Sequence, residues 1–253
     1  MKIIFCGFGR AALECFYQLV TNYNVSNKNI IVFTHDVDGN KEFIKHLRDN
    51  KIYFTFNHIN KCYDELIAFS PDYLVSIYYR YIITKSILEL VEYKAMNSHP
   101  SLLPTYRGTF SSAWVILNNE KETGITFHYI NDKIDDGYIL FQTKLKISQY
   151  DTAFSLYHKL ITLVSSYFCN AFNKLINQDL GYKQIGVSSY YKRQLPFEGV
   201  MNFNKTTYNK AKLFVRAMYF PPFKGAVFLK DNGKEIEIKD LDSLSAYKIF
   251  FKK

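Results

Sequence analysis

Asn97 and His99 stand two residues apart in Asn97-Ser98-His99-Pro100-Ser101-Leu102-Leu103-Pro104. The segment follows an apolar stretch directly, and in an extended chain residues i and i+2 point the same way, so both side chains can face one pocket. A carboxamide beside an imidazole is what acyl transfer to an amine requires. Asn donates a hydrogen bond to the oxyanion of a tetrahedral intermediate. His, with an ordinary pKa of about 6.5, moves the proton. The missing part is an acid to orient or tune the imidazole. Ile134-Asp135-Asp136-Gly137-Tyr138 supplies one in the next strand-to-strand turn, where the chain can return to the same edge. Taken alone, a histidine before a proline is also an ordinary loop residue, and the residue pattern leaves both readings open.

A second chemical signal lies at the start. Gly7-Phe8-Gly9-Arg10-Ala11-Ala12 satisfies GxGxxA after a strand and at the opening of a helix, the dinucleotide fingerprint. That fingerprint wants an acidic residue about 20 positions on, and His35-Asp36 falls somewhat late. Three readings stand: the small residues that any βα turn needs, an anion held by the helix N-terminus with Arg10 gripping a pyrophosphate, and an NAD-linked oxidoreductase. The four cysteines, Cys6, Cys15, Cys62 and Cys169, form no CxxC or Cys/His cluster. Neither a zinc site nor a disulfide framework is expected, which fits a reducing cytoplasm.

The elements that must position these residues read as alternating strands and helices. Lys2–Cys6, Ile30–Thr34, Lys51–Phe54 and Tyr73–Ile77 are apolar strands, separated by helical patterns over Ala11–Val20, Lys41–Asp49 and Lys61–Phe69. Such alternation implies βαβ crossovers and a mostly parallel sheet with helices on both faces, whose ligands sit at the carboxyl ends of the strands. Beyond the Pro-punctuated loop 97–108 come a helix (Phe110–Leu117), two strands (Gly124–Tyr129 and Tyr138–Ile147) and a long amphipathic helix, Thr152–Leu175, capped by Asp151. After Asn177 the character changes to turns and Tyr-rich segments, a short helix (Thr206–Met218), and two strands (Ala226–Leu229 and Glu235–Ile238) flanking Asp231-Asn232-Gly233, a hairpin signal. The expected division is 1–180 as a catalytic domain and 181–253 as a small extension with a short helix and a β-hairpin. An isolated hairpin is marginal in water, so this one should pack on the main domain or on a second subunit.

Composition bounds the alternatives. The chain has 253 residues, 48% of them hydrophobic and 17% aromatic, which excludes a disordered segment. No run of about 18 apolar residues exists, so no membrane span is expected, and the apolar stretch at the N-terminus is too short for a secretion signal. The net charge of +9 suits an anionic small substrate, but Lys and Arg are scattered, which argues against a nucleic-acid partner.

Taken together, Asn97-Ser98-His99, Ser101-Leu102-Leu103-Pro104, Arg107-Gly108 and, 38 residues after the Asn, Asp135 followed by Gly137 resemble the formyltransferases that use N10-formyltetrahydrofolate. The resemblance is close over about residues 70 to 150 and loose over the rest of a Rossmann-like domain. It implies that Asn97, His99 and Asp135 form a catalytic triad, the Asp-x-Gly register on Gly137 selecting Asp135 over Asp136. It implies that Tyr79-Arg80-Tyr81-Ile82-Ile83 lends backbone groups to the pterin ring, with Asp132 also on the donor side, and that no metal is needed. Gly124-Ile125-Thr126 resembles the strand leading to the Asp loop.

Members of this group that formylate methionyl-tRNA carry a C-terminal barrel of roughly 100 residues, whereas about 75 residues follow Asn177 here. Those acting on glycinamide ribonucleotide end soon after the long helix. The tail, with Tyr190-Tyr191-Lys192-Arg193, Gly199, Arg216-Ala217, Phe220-Pro221-Pro222-Phe223 and Gly225-Ala226, instead resembles the sugar N-formyltransferases. Closest are the small bacterial enzymes that formylate dTDP-4-amino-4,6-dideoxyglucose for O-antigen or other surface polysaccharide and that dimerise through a terminal hairpin. The resemblance thus implies a dTDP-linked amino sugar as substrate, a homodimer, and acceptor contacts from Gly9, Arg10, Tyr78, Ser101, Arg107, Tyr190, Arg193 and Phe220. Tyr or Phe faces would stack on the thymine.

Overall fold

The computed structural model describes residues 1–252 and divides into two compact units. The first comprises Met1–His99, Ile125–Thr143 and Ile161–Val187. Its leading half alternates β1 (Ile3–Gly7), α1 (Gly9–Tyr23), β2 (Ile30–Phe33), α2 (Lys41–Asp49), β3 (Phe54–Thr55), α3 (Tyr63–Phe69), β4 (Tyr73–Ile77), α4 (Lys85–Leu90) and β5 (Ala95–His99). Strands β3, β2, β1, β4 and β5 pair in parallel in that spatial order. The order turns back on itself between β1 and β4, the place where open parallel sheets hold ligands.

Strand alternation explains why both faces of this sheet are covered. Phe5 meets Phe16 of α1 and Phe43 of α2 edge-on, with ring centroids 5.2 and 6.0 Å away. Its neighbours Ile4 and Cys6 face the other way, into a core shared with Leu66 of α3 and Ile87 and Leu88 of α4. Close approach of β1 and α1 depends on Gly7, since a Cβ there would lie 2.7 Å from that of Ala12.

The remaining elements begin with β6 (Arg107–Gly108), α5 (Ser111–Leu117), β7 (Glu122–Tyr129), β8 (Ile139–Lys146) and α6 (Ala153–Ile176). β7 joins β5 antiparallel and β8 forms the outer edge, completing a seven-stranded, mostly parallel α/β sheet. Leu156, Leu160, Val164, Phe168, Phe172 and Leu175 make a buried stripe at helical spacing along α6. The start of α6 departs from expectation. Thr152, not Asp151, caps it: Ser155 N–H donates to Thr152 Oγ1 (3.1 Å) and Thr152 N–H donates to Ser155 Oγ (3.0 Å), a reciprocal capping pair. Asp151 lies one residue earlier and accepts from Ser155 Oγ, Ser148 N–H and Lys159 Nζ.

The second unit comprises Pro100–Gly124, Lys144–Leu160 and Ser188 onward. Here β9 (Tyr190–Tyr191) pairs with β6, and β10 (Val200–Asn202), α7 (Tyr208–Met218), β11 (Ala226–Leu229), β12 (Glu235–Ile238) and α8 (Leu241–Ser245) follow. The hairpin β11–β12 is not isolated. β10 adds a third strand beside β11, and Phe203, Phe214, Phe228 and Phe251 form an aromatic core against it. Two-residue strands such as β6 and β9 carry no alternation, which is why they are absent from the sequence-based expectation.

Candidate active site

β5 sits between β4 and β7, so each residue on it has a neighbour on either side. Asn97 lies opposite Ser76 on β4 and His128 on β7, and His99 lies opposite Thr126. Ser76 Oγ donates to Asn97 Oδ1 at 2.8 Å, while Asn97 Nδ2 is 3.2 Å from His128 Nε2. The other ring nitrogen of His128, Nδ1, is 2.8 Å from the Tyr129 carbonyl and can only donate to it. The network therefore assigns Nε2 of the neutral ring as the acceptor for the Asn97 amide. Both ends of the carboxamide are pinned, and its second N–H remains to be donated.

Asp135 closes the group. Its Oδ2 is 3.4 Å from His99 Nδ1 and its Oδ1 3.6 Å from His128 Nε2, so one carboxylate spans two imidazoles. The two rings are buried and the carboxylate is nearly so, with side-chain exposures of 5%, 3% and 12% for His99, His128 and Asp135. In such a setting charge interactions are stronger than in water.

Local backbone geometry aims this side chain. Asp135 is in the left-handed region, with φ 50°, inside the turn between β7 and β8. The turn is drawn tight against β7, since a Cβ on Gly137 would fall on the Tyr129 carbonyl. Asn131 Oδ1 accepts from Lys133 N–H and shapes the first half of the turn, where Asp132 is exposed.

Asn97, His99 and Asp135 are thus brought together, and His128 is a fourth member that sequence reasoning missed. Its signal is the antiparallel register of β7 on β5, a pairing 31 residues apart that motif spacing does not reveal.

The segment expected to meet the pterin is held by its neighbours. Asn60 Nδ2 donates to the Ile82 carbonyl and Asn60 Oδ1 accepts from Thr84 N–H, at 2.9 and 3.1 Å. Arg80 N–H donates to His35 Nε2 (3.2 Å), and its guanidinium lies 3.9 Å from the Phe8 ring centroid. Tyr79 stacks on His35 and Tyr81 on His58. Burial pushes the Tyr79 hydroxyl up, so it stays protonated while it accepts from Ile59 N–H. Ile83 is buried in the core, Ile82 is exposed, and Tyr78 has φ 56°.

Of the residues expected on the acceptor side, Gly9, Arg10 and Tyr78 lie in the first unit. Gly9 N–H donates to Asn40 Oδ1 (2.8 Å), and Arg10 pairs with Glu14 one helical turn on (2.5 Å). Asp36, in the place the dinucleotide fingerprint reserves for a ribose contact, is exposed. Ser101, Arg107, Tyr190, Arg193 and Phe220 lie in the second unit. Ser101 Oγ closes a turn onto the Thr105 carbonyl at 2.7 Å, Arg107 pairs in register with Tyr190, and Phe220 packs edge-on against Phe154 and Tyr157. Tyr190 and Arg193 are exposed. Among the described residues no group of three His, Cys, Asp or Glu side chains is placed to hold a metal ion, and no helix is long and apolar enough to cross a membrane.

The chain is similar to proteins of known activity. Residues 23–172 match the formyl transferase family. The GDP-perosamine N-formyltransferase of Brucella melitensis is 38% identical over 244 residues, covering 95% of this chain and 93% of that protein. The N-formyltransferase of Helicobacter canadensis, solved in complex with folinic acid and dTDP-3-aminofucose, is similar with a TM-score of 0.75 and 26% identity, over 88% of this chain and 82% of that one. WlaRD, a sugar 3N-formyltransferase solved in the presence of dTDP and 5-N-formyl-THF, is similar with a TM-score of 0.74 and 27% identity, over 90% and 82%.

Proposed function

This chain belongs to the formyl transferase family and is an enzyme that transfers a formyl group; from that premise we propose that its acceptor is the amino group of a nucleotide-linked amino sugar and its donor N10-formyltetrahydrofolate. The observation that carries the chemistry is the convergence of Asn97, His99 and Asp135 around one buried centre. The acceptor class is supported by the Brucella relative, whose similarity runs through the C-terminal extension as well as the catalytic core.

The folate would supply the formyl carbon, with tetrahydrofolate leaving through its N10 nitrogen as the carbon–N10 bond breaks. Around that carbon the second Asn97 N–H donates to the oxygen as it gains negative charge, together with the protonated imidazole of His99. Asp135 on Nδ1 orients that ring, so proton exchange with the attacking amine and the leaving nitrogen runs through Nε2. His128 holds Asn97 in its donating orientation, its Nε2 accepting from the amide while lying 3.6 Å from the other carboxylate oxygen. Asn60 keeps the 79–84 backbone presented to the pterin, and the exposed Asp132 lies in the turn that ends in Asp135.

For the nucleotide, similarity favours GDP-perosamine as the acceptor. The dTDP-4-amino-4,6-dideoxyglucose expected from the sequence is the second reading, favoured by the dTDP ligands of the two similar structures. Either product would serve a surface polysaccharide such as an O-antigen, made in the cytoplasm. Pairing of two copies through residues 181–253 belongs to the same proposal. Incubation of the protein and N10-formyltetrahydrofolate with a panel of GDP- and dTDP-linked amino sugars tests the reading by mass spectrometry. One member should gain a single formyl group; transfer only to glycinamide ribonucleotide or methionyl-tRNA would overturn it. Stabilisation by NAD(H) with none by folate would revive the oxidoreductase reading.

A further inference from the structure

Gln184 lies in the stretch that follows α6, between Lys183 and Ile185, both exposed, and it alone of the three turns inward. Its Nε2 donates to two backbone carbonyls, those of Asp135 and Gly137, each at 2.9 Å. These carbonyls belong to the left-handed Asp135 itself and to the glycine pressed on Tyr129, with Asp136 between them. The stretch that bears Gln184 is itself anchored. Tyr182 and Ile139 exchange backbone hydrogen bonds of 2.8 and 3.0 Å, and Tyr129 Oη donates to the Asp179 carbonyl at 2.5 Å.

We propose that Gln184 is a positioning residue for formyl transfer: its carboxamide clamps the Asp135 turn from outside and keeps the carboxylate between His99 and His128. A left-handed non-glycine residue is strained and persists only where its surroundings over-determine it. The two hydrogen bonds from one amide group are such a restraint, because they fix the carbonyl of Asp135 itself and that of Gly137 two residues on, and so hold the backbone immediately after the Asp135 side chain. Without them the turn relaxes, and the 3.4 and 3.6 Å spacings to the imidazoles lengthen. A displacement of about 1 Å in a catalytic group costs about 100-fold in rate.

The inference rests on the formyl-transfer reading of this site, and the test separates the two. Three variants of the full chain are compared: Gln184→Met, which keeps length but donates nothing; Gln184→Glu, which keeps shape but sets a carboxylate against the carbonyls; and Gln184→Asn, which retains a shorter carboxamide. The Met and Glu variants should lose about 10- to 100-fold in kcat for transfer from N10-formyltetrahydrofolate to the GDP-linked amino sugar, with little change in the acceptor KM. The Asn variant should recover part of that loss. In protein carrying 13C-labelled histidine, the His99 and His128 ring signals, identified by their loss in His99→Asn and His128→Asn, should titrate at shifted pH in the Met variant. Wild-type kcat with unmoved histidine titrations in both Met and Glu variants would overturn the proposal. The titrations need no acceptor, so they decide the role of Gln184 even where the wild-type chain transfers to no sugar offered and the proposed function fails. Should the Met variant not fold, the Glu and Asn pair carries the same comparison.

Discussion

At the scale of single residues, each side chain proposed to take part in the reaction is fixed by a neighbour. Ser76 and His128 pin the Asn97 amide, so under the proposed mechanism Asn97→Ala removes an oxyanion donor that is already oriented; kcat should fall about 10²–10³-fold in steady-state transfer assays. Asp135 and Asp136 are distinguished by geometry, since it is the Asp135 carboxylate that reaches both imidazoles. Asp135→Asn should therefore lose most activity, while Asp136→Asn should stay within several-fold of wild type; the reverse ranking would break the assignment. The Asn-x-His pair was legible because i and i+2 on a strand share a face whatever the rest of the fold does. His128 was not legible, because its bond to Asn97 exists only once β7 lies antiparallel on β5 in one register. Gln184 was hidden for a similar reason: its partners are backbone carbonyls, which carry no residue signature.

At the scale of elements, the tight turn between β7 and β8 is the feature most exposed to test. A methyl group on Gly137 would be forced into the Tyr129 carbonyl, so Gly137→Ala must shift the turn. Activity should be lost with only a modest fall in thermal stability, because the turn that Gly137 holds against Tyr129 also carries the Asp135 carboxylate. Unchanged kcat in Gly137→Ala would show that the carboxylate tolerates movement.

A second element-scale prediction concerns the start of α6. Burial of Asp151 raises its carboxyl pKa, but hydrogen bonds from Lys159, Ser148 N–H and Ser155 outweigh this and hold it below the usual carboxylate range. A carboxyl lowered on folding contributes stability above its unfolded value of about 3.9 and loses it as pH falls through the folded value. Asp151→Asn should thus be less stable than wild type by about 1–3 kcal/mol near neutral pH, with the gap closing below about pH 4 in thermal melts. A constant gap across that range would assign the effect to packing. The β11–β12 hairpin was legible from Asp231-Asn232-Gly233 between alternating strands, whereas the cap of α6 was misplaced by one residue because Asp151 and Thr152 are both good caps and only the hydrogen bonds separate them.

At the scale of the whole molecule, the alternation of strands and helices over the first hundred residues made the α/β sheet readable, since each crossover is local in sequence. The second unit was not readable in the same way. It gathers Pro100–Gly124, Lys144–Leu160 and the chain from Ser188 onward, and no linear signal announces a core built from three separate stretches. Its outer surface leaves Phe223 and Ile249 largely exposed, at 73% and 86%. Light scattering after size exclusion should report about twice the 29.7 kDa chain mass under the proposed pairing, and a monomer would remove the homodimer from the account. The claim on which the rest depends is that His99, held by Asp135, moves the proton during transfer of the formyl group. Single-turnover transfer from N10-formyltetrahydrofolate to GDP-perosamine by His99→Asn tests it most directly. The account predicts a rate about 10²–10⁴-fold below wild type with folate binding retained; a rate equal to wild type would contradict it.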